Sequence, residues 1–214
     1  PNTPAFQTKG QLQGSLQPGR AVWDYRDFTG TVGQSDLHGN LRFVSGAPRG
    51  KLSGSVTSRQ LRLADLGPVL GTATTTSAKA GRGGKVLPDA PFATDRWNAM
   101  DMDLKFAGQR VVRQGSLPLE DLSVHALLSD AVLRLDPLHF GVAKGKIESK
   151  VVLDSRNTPL TVHMDTRVQN LRLASLFPEV ELTKKSLGRL DGAMALNGKG
   201  NSVAQWLGTS SGEA

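Results

Sequence analysis

The side chains able to do chemistry are few and scattered. His38, His125, His139 and His163 lie far apart, with no i, i+4 pair and no acidic partner at ligand spacing. They read as surface residues of strands rather than metal ligands. Asp101-Met102-Asp103 resembles the acidic pair of some metal-dependent transferases, and a glycan-acting enzyme using it is one alternative. Alternation along a strand, however, sends both carboxylates to one solvent-facing side. Gly81-Arg82-Gly83-Gly84-Lys85 has the composition of a phosphate-cradling loop, but Val86-Leu87-Pro88 follows where a Ser/Thr and a helix are needed. No serine sits in a glycine-flanked elbow and the chain has no cysteine, so hydrolase and thiol chemistry lack their nucleophiles. No catalytic residue, metal site or cofactor is assigned.

Composition bounds what must hold such a chain together. A length of 214 residues suits one large or two small domains. Aromatic content is 5%, and 24 Gly with 11 Pro imply many turns, hence β structure. Residues 1–88 carry 11 of the 26 basic side chains but 4 of the 19 acidic ones, so the whole +7 excess lies there. Those positives are single and without interleaved aromatics, which reads as a solvated strand face rather than a nucleic-acid surface. No apolar run reaches the roughly 18–20 residues of a membrane span, and no signal peptide opens the chain. A start at Pro1 without Met reads as that of a segment of a longer protein.

Most of the chain has period two, the spacing that puts alternate side chains on opposite faces of a strand. Leu37, Gly39, Leu41 and Phe43 oppose His38, Asn40 and Arg42. Leu52, Gly54 and Val56 oppose Lys51, Ser53 and Ser55. Met100, Met102, Leu104 and Phe106 oppose Asp101, Asp103 and Lys105. Further runs are Leu122–Leu128, Leu133-Arg134-Leu135 ending before Asp136-Pro137, Ile147–Leu153, Leu160–Val168 and Leu190–Leu196. Glycines on the apolar side of the early strands imply sharp curvature or close backbone approach. Near the end, Val203, Trp206 and Leu207 share a side at helical spacing, with Asn201 or Ser202 as cap.

One stretch occurs twice. Leu61-Arg62-Leu63-Ala64-Asp65-Leu66-Gly67-Pro68 returns as Leu171-Arg172-Leu173-Ala174-Ser175-Leu176-Phe177-Pro178. Each copy ends an alternating run, offers Asp65 or Ser175 as a helix N-cap and places a proline three positions later, which predicts a strand closing into a short helical turn. The repeat divides the chain into a first β module (1–71), a flexible Thr/Gly-rich linker (72–88) and a second β module (89–214) ending in the amphipathic helix. Many strands with one apolar face and almost no helix to cover it leave two architectures. Two sheets stack as a closed sandwich that binds other proteins, or one long curved sheet surrounds an apolar groove.

The order of several motifs resembles the AsmA family of bacterial envelope proteins. These motifs are Gly33-Gln34-Ser35-Asp36-Leu37-His38-Gly39, Leu52-Ser53-Gly54, Leu61–Leu66, Met100–Leu104, Leu133–Phe140 and Leu196–Val203, and the resemblance covers about residues 28–208. It implies an elongated, curved antiparallel sheet with an apolar groove built from repeated modules. It further implies a non-enzymatic protein of the periplasm, held to the inner membrane of a Gram-negative bacterium by an anchor outside this chain. Such a protein supports outer-membrane biogenesis or lipid transport between membranes, with phospholipid or another envelope lipid as partner and no nucleic acid. On that reading Met100, Met102, Leu104, Phe106, Val162 and Met164 line the groove, and Arg42, Lys51 and Arg59 attract lipid headgroups.

Overall fold

The computed structural model describes residues 5–46, 48–66, 92, 94, 97–112, 117–172, 175 and 188–213. Eleven strands form one open, curved sheet whose spatial order is the sequence order. They are β1 (Phe6–Gln17), β2 (Arg20–Val32), β3 (Ser35–Val44) and β4 (Gly50–Arg62), then β5 (Met100–Val112), β6 (Leu119–Ser129), β7 (Val132–Val142) and β8 (Gly145–Asp154). β9 (Thr161–Arg172), β10 (Arg189–Lys199), helix α1 (Val203–Thr209) and β11 (Ser211–Glu213) complete the described elements. Among the described residues the strands form one sheet in sequence order, not the two stacked sheets of a sandwich.

The sheet departs from the antiparallel expectation at one place: β4 and β5 pair parallel, Gly50 to Met100 through Arg62 to Val112. A parallel step needs a long crossover, and the 37 residues between those strands supply it. The linker expected over 72–88 lies outside the described residues. The parallel register sets β4 beside β5 so that Ser58 meets Gly108 and Leu61 meets Val111. In both strands burial steps by three rather than two there, and β9 repeats the step from Val168 to Leu171. The strand end marked by Leu61 and Leu171 therefore occurs a third time, at Val111, where the leucine signature is absent.

The turn within the first copy is a 3-10 helix, Leu63–Leu66, but Asp65 is inside it and does not cap it. Its carboxylate accepts from the Gln34 amide (3.0 Å) and the Ser35 hydroxyl (2.7 Å) of the β2–β3 turn, because Gly33 leaves no Cβ to keep it away. Ser35 in turn accepts from the Arg62 amide (2.8 Å), so the corner is pinned to the hairpin opposite. Of the second copy, Leu173, Ala174 and Leu176–Pro178 lie outside the described residues.

Bulges curve the sheet. Register shifts interrupt the ladders at Lys9/Gln11, Tyr25/Phe28, Glu120/Ser123, Leu135/Leu138 and Leu190/Gly192. Asp27, Asp121 and Asn170 adopt positive φ at bulges, a region Asp and Asn tolerate best among residues with a Cβ. Asp121 is thus a bulge residue within β6, and Asp136-Pro137 is a bulge within β7 rather than the end of a strand. The glycines on the apolar side mark close approach: a Cβ on Gly39 would lie 2.0 Å from the Ser55 carbonyl oxygen, and one on Gly54 2.1 Å from that of Asn40.

The curl is also visible in the chain path. The Phe92 amide donates to the Asn201 carbonyl (2.7 Å), beyond the end of β10, yet by Met100 the chain has entered β5. Five interstrand steps in a flat sheet measure about 24 Å. Eight residues reach at most about 26 Å extended, and turn bonds from Thr94 to Phe92 and Trp97 to Thr94 shorten these. The sheet closes toward that segment, and Phe92 and Trp97 join the cluster of Leu153, Leu160, Val162 and Trp206. Helix α1 supplies Trp206, with Ser202 as the cap accepting from the Gln205 amide (3.2 Å).

Candidate functional site: a one-sided apolar track

Because neighbouring strands pair in register, the apolar faces align into rungs that run across the sheet. The first is Phe43, Leu52, Met102, Leu128, Leu133, Leu153, Val162 and Gly198. The second is Leu41, Gly54, Leu104, Ala126, Leu135, Val151, Met164 and Leu196. The third is Gly39, Val56, Phe106, Val124, Leu138, Ser149, Thr166 and Met194. β2 extends them with Trp23, Tyr25 and Phe28, the last two stacked at 5.1 Å between ring centres. From β2 to β10 the eight interstrand steps give a track about 38 Å long, closed near Val162 by α1 and the 92–97 segment.

The six residues expected to line a groove are on the inner-face side of their strands, but Val162 is 4% exposed and packed among Leu153, Leu160 and Trp206. Met102 and Val162 share the first rung, Leu104 and Met164 the second, while Phe106 is on the third and Met100 stands opposite Gly50 at the start of β5. The two groups are four strands, about 19 Å, apart. Leu128, Leu133 and Leu153 join them on one rung, and Ala126, Leu135 and Val151 on the next. Reading single strands finds each of these residues but not the rungs, since register depends on partner order and the parallel step has no local signature.

Arg42, Lys51 and Arg59 are not brought to the track. Arg42 and Lys51 alternate to the outer face, where Arg42 stands 3.7 Å from Asp24. Arg59 bonds Asp36, also on that face, from Nε (3.3 Å). Asp101 and Asp103 point outward too: Arg49 is 3.5 Å from Asp101, and His125 bonds Asp103 at 2.8 Å. Three of the histidines have acidic neighbours in space: His38 has Asp36 at 3.1 Å, His125 has Asp103 across the strands and His163 has Asp165 at 3.2 Å. Among the described residues no His, Asp or Glu cluster is arranged to hold a metal ion.

The outer face carries ion pairs of its own. At the β8–β9 turn Arg156 donates to Asp154 from Nε (2.9 Å), Nη2 (2.5 Å) and its amide (3.0 Å). The guanidinium bonds lead in holding the Asp154 carboxyl at about 2, below its ordinary 3.8. A depressed carboxyl stabilises the fold above its unfolded value and loses that contribution as pH falls through the folded one. Arg156→Ala is therefore expected to return Asp154 toward 3.8 in a carboxyl-resolved NMR titration. The bridge's share of stability in the parent then disappears between about pH 4 and pH 2.

An open sheet with one continuous apolar face and one charged face is a trough rather than an enclosed active site. Residues 1–214 match the model of the AsmA family, and the chain belongs to that family. It is 43% identical over 226 residues to the AsmA family protein YhjG of Escherichia coli (strain K12), covering 99% of this chain and 33% of that relative. The chain thus spans about a third of the length of the curated relative it matches. No solved structure matches it. AsmA membership suggests an envelope-related function, and the family is not known as enzymatic. Among the described residues no helix is long and apolar enough to cross a membrane.

Proposed function

We propose that this chain is a lipid-binding module of a longer envelope protein and holds acyl chains along its inner face. The observation that carries the reading is the three rungs, apolar or glycine at all positions from β3 to β10 but Ser149 and Thr166, opposite a charged outer face. Apolar residues of that extent on a single sheet, with one short helix over one end, leave area to be covered. The track is longer than the roughly 30 Å hydrocarbon core of a bilayer, in which two layers of acyl chains meet end to end, so a single chain fits within it. Each methylene transferred to the track contributes about 0.8 kcal/mol. The headgroup stays in water at the open side of the trough, so the outer-face Arg42, Lys51 and Arg59 have no part in binding.

Within the longer protein this module stands in the periplasm, tied to the inner membrane by a segment outside this chain, and accommodates lipid moving between membranes or supports outer-membrane biogenesis. Family membership and the apolar track support that placement. Native mass spectrometry of the purified chain is expected to show phospholipid adducts, lost in Met102→Asp. A well-folded parent chain that never carries lipid, even after incubation with phospholipid vesicles, would overturn the reading.

A further inference from the structure

Across β3–β10 the three rungs hold 24 positions, and all but two are apolar residues or glycine. The exceptions, Ser149 and Thr166, are opposite each other on β8 and β9 and are 7% and 9% exposed. Their hydroxyls bond each other at 2.8 Å. Apolar side chains flank the pair along both strands, Val151 and Met164 on one side and Ile147 and Val168 on the other. Each hydroxyl carries one proton, and one mutual bond uses one of the two. Among the described residues no acceptor takes the second.

We infer that the Ser149–Thr166 pair is an ester-recognition point within the track, donating its second proton to the carbonyl oxygen that ends an ester-linked acyl chain. The inference rests on the acyl-chain reading above and adds to it a ligand class and a direction. A carbonyl oxygen at this pair leaves the hydrocarbon tail five wholly apolar strands, β7 back to β3, on one side and only β10 on the other. The tail therefore runs toward β3. An unmet donor in an apolar surface is costly, and a carbonyl oxygen removes that cost whereas an ether oxygen, a weaker acceptor, does so poorly.

The test offers the purified chain equal amounts of diacyl and dialkyl phosphatidylglycerol of the same chain length and counts bound lipid by native mass spectrometry. The parent is expected to favour the ester lipid about fivefold, the range of one net hydrogen bond. Either single change, Ser149→Ala or Thr166→Val, leaves one hydroxyl with a free proton and keeps the preference. The double variant brings the ratio to about one while its uptake of the ether lipid stays at the parent level, which also reports an intact track. Equal binding of both lipids by the parent, or a preference surviving in the double variant, would overturn the ester point but not the acyl track. Binding of neither lipid would overturn both.

Discussion

Leu104→Asp is expected to lower retained lipid about fiftyfold while the protein remains folded. Leu104 occupies the second rung of β5 between Gly54 and Ala126, so an aspartate there clashes with nothing. Its carboxylate keeps water, because the trough is open, and the loss of a half-buried leucine costs about 1–2 kcal/mol of stability. A hydrated carboxylate in mid-track displaces about three methylenes of a bound chain, worth about 2.4 kcal/mol, and 1.4 kcal/mol is tenfold in binding. Lys105→Asp, one residue on and facing outward, is the control: it changes charge more but is expected to leave lipid retention as it was. Lipid per protein, counted by native mass spectrometry beside a thermal melt, reads both effects.

Asp36→Ala is expected to cost about 2–4 kcal/mol, the largest loss of stability from any single outer-face carboxylate. The Asp36 side chain is 17% exposed and accepts from the Arg59 amide (3.1 Å), the Gln60 amide (2.7 Å), the Arg59 guanidinium and His38. Burial pushes its carboxyl up, but the Gln60 and Arg59 amides, with the Arg59 guanidinium and His38, outweigh this and hold the group well below the usual carboxylate range. Removing it takes a charged acceptor from two amides where β4 steps from Ser58 to Leu61, at about 1.5–3 kcal/mol for each such bond, of which water returns a part because Arg59 and Gln60 are exposed. For a chain of this size that is a fall in Tm of about 5–15 °C. The pH dependence has a definite sign. Because the folded carboxyl titrates below its unfolded value of 3.8, the contribution is present above pH 4 and lost as pH falls further. The Tm of the parent therefore drops on acidification more than that of the variant.

Much of this fold is legible in the sequence, and the reason is the period of two. Leu37–Phe43, Leu52–Val56 and Met100–Phe106 name their strands and their inner faces without knowledge of any partner, because one side of each is buried and the other is wet. The same alternation that puts Leu41 and Phe43 inside puts Arg42 outside, so the headgroup role assigned to Arg42 and Lys51 already conflicted with it. What local pattern does not contain is the partner. The parallel step from β4 to β5 follows 37 residues without alternation, and the rungs that join Met102 to Val162 exist only once strand order is known. Bulges hide for a related reason: Asp136-Pro137 has the chemistry of a strand end, and only pairing on both sides shows that β7 runs through it. Asp65 was legible as a capping residue but not as a cap for another segment's turn, since Gln34 is 31 positions away. The Ser149–Thr166 pair is invisible in the sequence because its meaning lies in 22 apolar or glycine neighbours contributed by eight strands.

If lipid occupies one face of this sheet and not the other, adjacent residues of one strand distinguish the two faces. A photoreactive benzophenone side chain placed at position 104 or, separately, at position 105 samples the two faces at the same height in the same strand. Irradiation of cells producing each protein is expected to yield a phospholipid adduct from position 104 and none from position 105. Equal adduct yields from both positions, or adducts from position 105 alone, would contradict the apolar track as the lipid site.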